Sequence, residues 1–356
     1  MKLALILCCQ LLCLNILPNQ EDTLKLLFLG DIMQHQTQLD AARVNGLNST
    51  DTSSYDFSSY FKYLKERFDK VDLRIANMET TFAGPPYSGY PSFSSPASLL
   101  TDSKNGGIDI FLTANNHICD KGKNGLIKTI NLYDSLRLLY TGIYRNSKEE
   151  VNNNPLLVTI KSFRIAFLNY TYGTNGISVP PPFIVKLIDT TSAKSDLIRT
   201  RELNPDYIIV CLHWGEEYML KHSGEQQRIE KFFYANGTDI IIGSHPHVPQ
   251  DYNIVYNTEN DEVKHITFYS LGNAISNMTV QNTRIGMMAE IILYKGEDGS
   301  KRILNPKIEY IWTSRPEMFD RNFTILPVEE FIDKPELFKN KNEYQNMKQN
   351  YLQFKK

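Results

Sequence analysis

Apolar runs that end in short polar clusters recur along this chain, and they predict its elements. Leu24–Leu29, Leu73–Ala76, Asp109–Thr113, Tyr207–Leu212, Asp239–Ile242 and His265–Tyr269 have the length and content of buried strands. Helical spacing lies between them. Phe57, Tyr60, Phe61, Leu64 and Phe68 share one helical face, with Asp56 as the N-cap. Further helices are expected from Gly122 to about Leu139, from Ala193 to Leu203 and from Glu225 to Tyr234. Leu156–Ile160 and Arg164–Tyr170 suggest a hairpin. Such alternation of helix and strand signals an α/β fold. The last part differs: His265–Leu271, Met287–Leu293 and Lys307–Trp312 follow one another without helices, so part of the sheet is antiparallel. Residues 84–98 and 172–182, rich in Gly, Pro or Ser, are long loops.

The polar clusters carry the chemistry. They are Gly30-Asp31-Ile32-Met33-Gln34-His35, Asn77-Met78-Glu79-Thr80, Ala114-Asn115-Asn116-His117 with Asp120, His213-Trp214-Gly215-Glu216-Glu217, Gly243-Ser244-His245-Pro246-His247, and Ser270-Leu271-Gly272-Asn273. Strand ends of an α/β sheet face one crevice where ligands bind, so groups far apart in sequence converge there. Five of the seven histidines fall in these clusters, which scattered placement would not produce.

Composition narrows the function. With 356 residues and 42% hydrophobic content the chain can bury a large core. Lys and Arg number 38 against 40 Asp and Glu, a net charge of −2, which argues against a general nucleic-acid binder. It leaves room for an anionic substrate, which needs only a local patch or a metal. Met1-Lys2 followed by an apolar run from Leu3 to Leu17 has the form of an export signal, and is short for a span of about 20 apolar residues. Cys8, Cys9 and Cys13 raise a lipoprotein reading and with it membrane association. Against it, Leu7 and Leu12 stand where a lipid-modified cysteine usually follows a small residue. Beyond that segment only Cys119 and Cys211 remain, too few for a disulfide framework, and both suit small buried fillers. No repeat or clear linker divides the rest. The expected organisation is an export segment over 1–22, one domain over 23–328, and a charged helical tail over 329–356.

A two-metal hydrolytic site needs a carboxylate between cations about 3.5–4 Å apart, plus neutral imidazoles and further oxygens. Asp31 and Glu79 offer carboxylates, Asn116 an amide oxygen, and His213, His245 and His247 imidazoles. In an extended segment His245 and His247 would point to one side, about 7 Å apart, and each could reach a different metal. His117, beside Asn116, is left free as a general acid or base. Each element also has a plainer reading: a helix cap for Asp31, a surface carboxylate for Glu79, a core histidine for His213, a turn for Gly272-Asn273. The His245-Pro246-His247 triplet is hardest to explain that way.

The ordered motifs resemble the calcineurin-like metallophosphatases and, more closely, the CapA family of capsule-synthesis proteins linked to poly-γ-glutamate. The resemblance covers about residues 24–275. It implies a four-layer α/β/β/α sandwich of two mixed sheets. It also implies that Asp31, Glu79 and His247 hold one metal, that Glu79, Asn116, His213 and His245 hold another, and that His117 is catalytic. His35, Asp120, Trp214, Glu216 and Asn273 would line the site. One or two divalent ions (Mn, Fe or Zn) would serve as cofactors. Two departures stand out. Met33 occupies a position where phosphatases usually carry histidine, and Glu79 replaces an aspartate. His35 could make up the missing ligand only if its loop bends back. Two functions follow. One is an exported hydrolase or transferase of the cell envelope or periplasm, acting on a phosphoester or on an anionic polymer such as poly-γ-glutamate. The other is a non-catalytic accessory that binds such a polymer beside a membrane-bound synthase.

Overall fold

A computed structural model of the chain describes residues 22–355, apart from positions 45 and 261. All but the last residue of the expected export segment lies outside the described residues. The strands begin with β1 (Asp22–Ile32), β2 (Leu73–Met78), β3 (Ile110–Leu112) and β4 (Leu139–Thr141). A two-residue β5 (Ile143–Tyr144) follows, then β6 (Leu156–Ile160), β7 (Phe163–Thr171), the short β8 (Ile184–Val185), β9 (Tyr207–His213) and β10 (Ile240–Ser244). The last are β11 (Tyr252–Tyr256), β12 (Val263–Phe268), β13 (Asn273–Ile275), β14 (Ile285–Lys295), β15 (Lys301–Ile303), β16 (Lys307–Ser314) and β17 (Thr324–Pro327). Fifteen of these form one hydrogen-bonded ladder whose main order is β4-β3-β2-β1-β14-β15-β12-β10-β9-β7-β6.

That ladder folds over on itself, and the alternation of side chains explains how. Leu24, Leu26 and Phe28 of β1 pack in one cluster with Ile75, Ile110, Ile165, Phe167, Ile209 and Ile266. The inner faces of the two ends of the ladder therefore meet. The alternate residues Leu27 and Leu29 face outward, towards Leu99, Leu100 and Tyr133 on helices Ala97–Asn105 and Gly122–Ser135. On the opposite side Ile208, Val210 and Leu212 pack with Ala193, Leu197, Ile229 and Phe233 of helices Thr190–Glu202 and Gly224–Ala235. The result is the expected helix/sheet/sheet/helix layering, with antiparallel β14–β15–β12 forming the bend. Burial of each large apolar side chain contributes about 1.5–3 kcal/mol, so Phe28→Ala at the centre of the inner layer would cost about 3–5 kcal/mol.

One expected element is different. Residues 57–68 are not a continuous helix: turns lead into a 3-10 turn at Lys62–Leu64 and a single α-turn at Lys65–Phe68. The backbone there is committed elsewhere. Asp102 accepts from the Phe57 N–H at 2.8 Å, and the carbonyls of Ser59 and Tyr60 accept from Thr324 Oγ1 and the Ile325 N–H. Tertiary bonds have replaced the i→i+4 ladder, and Asp56 caps only a turn, through the Ser58 N–H. Near the C-terminus, helix Lys341–Phe354 starts at an Asn340 cap and lays Tyr344, Met347 and Tyr351 against Trp312 and Leu326. No described helix is long and apolar enough to cross a membrane.

Candidate metal centre

Parallel pairing puts the ends of β1, β2, β3, β9 and β10 at one edge of the molecule. Asp31 lies opposite Asn77 on β2 and Asn273 on β13, and His213 lies opposite Ser244. Close backbone contact brings the chains together. A Cβ on Gly30 would sit 1.7 Å from the Gly272 carbonyl oxygen, and one on Gly243 would sit 1.9 Å from that of Tyr269. Only glycine permits either approach.

All six expected ligands converge there, and each is buried. Asp31 and Glu79 are both 0% exposed. Glu79 Oε1 lies 3.6 Å from His213 Nε2 and 3.8 Å from His247 Nε2. Asp31 Oδ2 lies 3.4 Å from His247 Nδ1, and Asn116 Oδ1 lies 2.9 Å from His213 Nε2. Donor atoms of Glu79, His245 and His247 fall within 4.8 Å of one another, and so do those of Asp31, Glu79 and His213. Glu79 is common to both groups, although distance divides the histidines differently from the resemblance.

The His245–His247 segment is not extended, and this corrects the sequence expectation. β10 ends at Ser244, and His245 and His247 both take positive φ, 98° and 59°. The chain bends across the site. The His245 N–H donates to Asp31 Oδ2 at 3.2 Å, and the Tyr218 N–H donates to the Pro246 carbonyl at 2.8 Å. Non-glycine residues pay about 1–3 kcal/mol each for such backbone, a strain that gathers at functional sites.

Burial sets the electrostatics. It pushes His213 well below the usual imidazole range, with His245, His247 and His117 adding to the effect. It lowers His245 to about 3, again with help from His247 and His117. Both are therefore neutral at pH 7, the form that ligates metals. Burial raises the Glu79 carboxyl far above its ordinary value, and Asp31, Glu217 and Asp120 raise it further. Neither Glu79 oxygen has a hydrogen-bond partner, nor does His245 Nδ1. Orphaned acceptors this deep are costly unless a cation sits among them. The residues present thus fit one or two divalent ions held by nitrogen and oxygen.

Second contacts orient the donors. Asn77 Nδ2 donates to Asp31 Oδ1 at 2.7 Å and lies 3.3 Å from His213 Nδ1. Ser244 Oγ is 3.1 Å from the same nitrogen. Asn273 Oδ1 sits 3.0 Å from His247 Nδ1, while its amide donates to the His247 carbonyl. His117 is 2.9 Å from Asp120 through Nδ1, and Asp120 in turn accepts the Phe93 N–H from the 84–98 loop. This carboxylate–imidazole pair leaves His117 Nε2 for other work.

Three expected lining residues stand outside the two donor groups, with His35 the nearest, against the Phe93 ring that also packs on His117. His35 belongs to neither donor group; its Nδ1 contacts Gln38 Oε1 at 3.2 Å and the Asn277 N–H at 3.3 Å. Trp214 is packed in the outer core with its indole N–H on the Tyr269 carbonyl, and Glu216 is exposed beyond it. Met33 is buried and brings no donor of the imidazole type. Two residues escaped sequence reasoning, both from the 172–182 loop. The Tyr172 ring lies 4.5 Å from that of His245. Asn175 Oδ1 accepts from Asn116 Nδ2 at 3.1 Å and so turns the Asn116 oxygen towards His213. Their only signal was the position of a Gly- and Pro-rich loop.

Comparison with known proteins agrees with this geometry. The family profile described as Bacterial capsule synthesis protein PGA_cap matches residues 25–278. The capsule biosynthesis protein CapA of Bacillus anthracis is 33% identical over 181 residues, covering 48% of this chain and 41% of that one. The PGA biosynthesis protein CapA of Bacillus subtilis (strain 168) is 23% identical over 289 residues, covering 78% and 70%. The match thus spans less than half of the first relative. Among solved structures, Haemophilus influenzae NAD nucleotidase is similar with a TM-score of 0.50 at 12% identity, covering 94% of this chain and 63% of that one. A Staphylococcus aureus structure described as a 5′-nucleotidase also gives 0.50, at 15% identity, covering 93% and 58%. These likenesses place the fold with the calcineurin-like metallophosphatases. Since the profile matches well over half of the chain, including the segment from Asp31 to His247, the chain belongs to the bacterial capsule synthesis (PGA_cap) family.

Proposed function

We propose that this protein is a metal-dependent hydrolase or transferase of the cell envelope, acting on an anionic surface polymer or a phosphoester in capsule metabolism. The observation that carries this reading is Glu79: a fully buried carboxylate, both oxygens unpartnered, 3.6 and 3.8 Å from the imidazoles of His213 and His247. Asp31, Glu79, Asn116, His213, His245 and His247 are the residues that would hold one or two ions of Mn, Fe or Zn. A bound divalent ion supplies Lewis acidity, polarising a substrate oxygen and lowering the pKa of water towards about 7. Asp120 holds the His117 ring through Nδ1, and His117 Nε2 exchanges a proton with the reacting or leaving group. Tyr172 and the 84–98 loop narrow the approach. Export through the 1–22 segment and pairing with a membrane-bound synthase belong to the same proposal.

Met33 supports a second reading. Without histidine there, the Asp31 side of the centre is one ligand short of the phosphatase pattern. An accessory subunit that grips polymer carboxylates through the histidines themselves, or through one structural metal, would need no complete second site.

Metal analysis of variants separates the two. His245→Ala and His247→Ala should lose bound metal and melt lower, because binding to the folded state alone stabilises it. His117→Ala should keep its metal and lose hydrolysis of a phosphoester and γ-glutamyl panel. If His117→Ala loses metal as fully as His245→Ala, the role given to His117 is wrong. A metal-free wild type, unaffected by any of the three changes, would leave only the accessory reading.

A further inference from the structure

A second polar cavity opens at the same end of the sheets. It holds about 280 Å³ and is lined by Gln281, Asn282, Arg284, Arg315, Asn346 and Asn350. Its place follows from the strand register: Ile285 at the start of β14 pairs with Trp312 near the end of β16, and Gly286 bridges Gly272. One wall is the segment after β13. The same segment is tied to the metal centre, since Asn273 donates to the Thr283 carbonyl and contacts His247.

The two arginines are not equivalent. Arg284 is committed: it donates to the Thr313 carbonyl at 3.0 and 2.8 Å, pairs with Glu343, and stacks its guanidinium 4.3 Å over Trp312. Arg315 donates once, from Nη2 to the Met278 carbonyl at 3.2 Å. Its Nε is buried without a partner, and it forms no ion pair among the described residues. Asn282 Oδ1 is likewise buried and unpartnered. Because amide oxygen and nitrogen are interchangeable in such a setting, Asn282 can equally present its NH₂ to the cavity. Two guanidiniums thus line one polar space, and among the described residues only Arg284 is paired, with Glu343. Burial works against the Arg284 charge, Glu343 opposes that, and Arg315 adds to it. A larger cavity, about 550 Å³, has no such unpaired cation: its Arg67, Lys70 and Lys307 are each matched to a glutamate.

We propose that this cavity is a subsite for an oxyanion, a carboxylate or a phosphate, bound by Arg315 with Arg284 and Asn282 beside it. A guanidinium that lines the cavity and forms no ion pair among the described residues suits either group, and the volume suits one anionic group with its immediate neighbours. The proposal does not rest on the metal-centre reading. Where both hold, the substrate carries a second negative group close to the one that reacts, as a polyanionic chain does.

The test uses the full chain stripped of metal with a chelator, so that the metal centre cannot capture the probe. Binding of inorganic phosphate and of a short glutamate oligomer is followed by calorimetry at millimolar concentration, for wild type and Arg315→Gln. At least one probe should bind the wild type, and Arg315→Gln should weaken it at least about tenfold while melting at the wild-type temperature without ligand. Phosphate alone binding would assign a phosphate ligand; the oligomer alone or both would assign a carboxylate. Arg315→Lys keeps the charge and loses the fork, and should bind more weakly than wild type; it serves should the glutamine variant not fold. If neither probe binds the wild type, or both bind the Arg315 variants unchanged, the subsite does not exist.

Discussion

Replacing Glu79 with Gln should stabilise the metal-free protein and remove the stabilisation that metal brings. Without metal, the wild type buries a carboxylate that has no hydrogen-bond partner and faces Asp31 at close quarters. The protein can relieve that charge by protonating it. At pH 7.5, for a carboxyl with an ordinary pKa of about 4.3, protonation costs about 4 kcal/mol, which caps the penalty. Gln removes the charge at nearly constant volume. In a chelating buffer the variant should therefore be the more stable, by up to about 4 kcal/mol. With metal the gap narrows, and it reverses only where the metal term exceeds the penalty relieved. A ligand at a hundred times its Kd adds about 2.7 kcal/mol to the wild type, and an amide in place of the shared carboxylate forfeits most of this. Thermal melts by circular dichroism, in EDTA and then in excess Mn²⁺ or Zn²⁺, would show the wild type rising and the variant standing still. A variant less stable than wild type in EDTA, by a margin that metal does not alter, would refute the argument. It would mean that Glu79 is satisfied by water or by its neighbours and is not poised for a cation.

Asn175→Ala should weaken metal affinity about 10–100-fold, the usual cost of losing an outer partner of a ligand, with an unchanged melt in EDTA; equal affinity would show that Asn116 needs no such partner. Burial raises Asp239 to about 6, with the Ile208 N–H and Lys301 opposing. Its folded pKa lies above the unfolded value, so the stability it confers is complete below about pH 4 and is lost as pH rises through about 6, by up to about 3 kcal/mol. Asp239→Asn should therefore gain on the wild type between pH 4 and pH 7 in urea unfolding; a constant difference would contradict the assignment. Cys119 and Cys211 are both buried and free. A chain starting at Asp22 should titrate as two thiols when denatured, and alkylate slowly when native, since burial raises Cys119 to about 11 and Cys211 further. Rapid labelling of the native protein would show that the packing around them opens.

The strands and the polar residues that meet at their ends were legible because each rests on a short local pattern. An apolar run marks a buried strand, and a polar cluster at its end marks the sheet edge, so Asp31, Glu79, Asn116, His213 and the His245–His247 pair could be found without coordinates. What failed depended on distant partners. The aromatic spacing of 57–68 suits a helix, but Asp102, Thr324 and Ile325 claim its backbone. Alternation places His245 and His247 on one side of a strand, but the chain leaves β10 at Ser244 and bends. Asn175 matters through one hydrogen bond to a residue 59 positions away, and no composition of a loop announces that. The pairing of Lys186 with Glu150 and Asp196 was equally hidden, because its members come from separate elements.

The donors come from both layers of the sandwich: Asp31, Glu79 and Asn116 from one, His213, His245 and His247 from the other. Asp31 and His245 are 214 positions apart yet hydrogen-bonded. Neither half of the chain can form the centre alone, and a partly folded chain offers a cation only scattered histidines. Acquisition of a metal would thus be tied to the final docking of the sheets. Where affinities follow a common order across sites, availability decides which ion is taken. For this protein the ion would be drawn from whichever compartment the two sheets close in, whatever the stock of metals where the chain was synthesised.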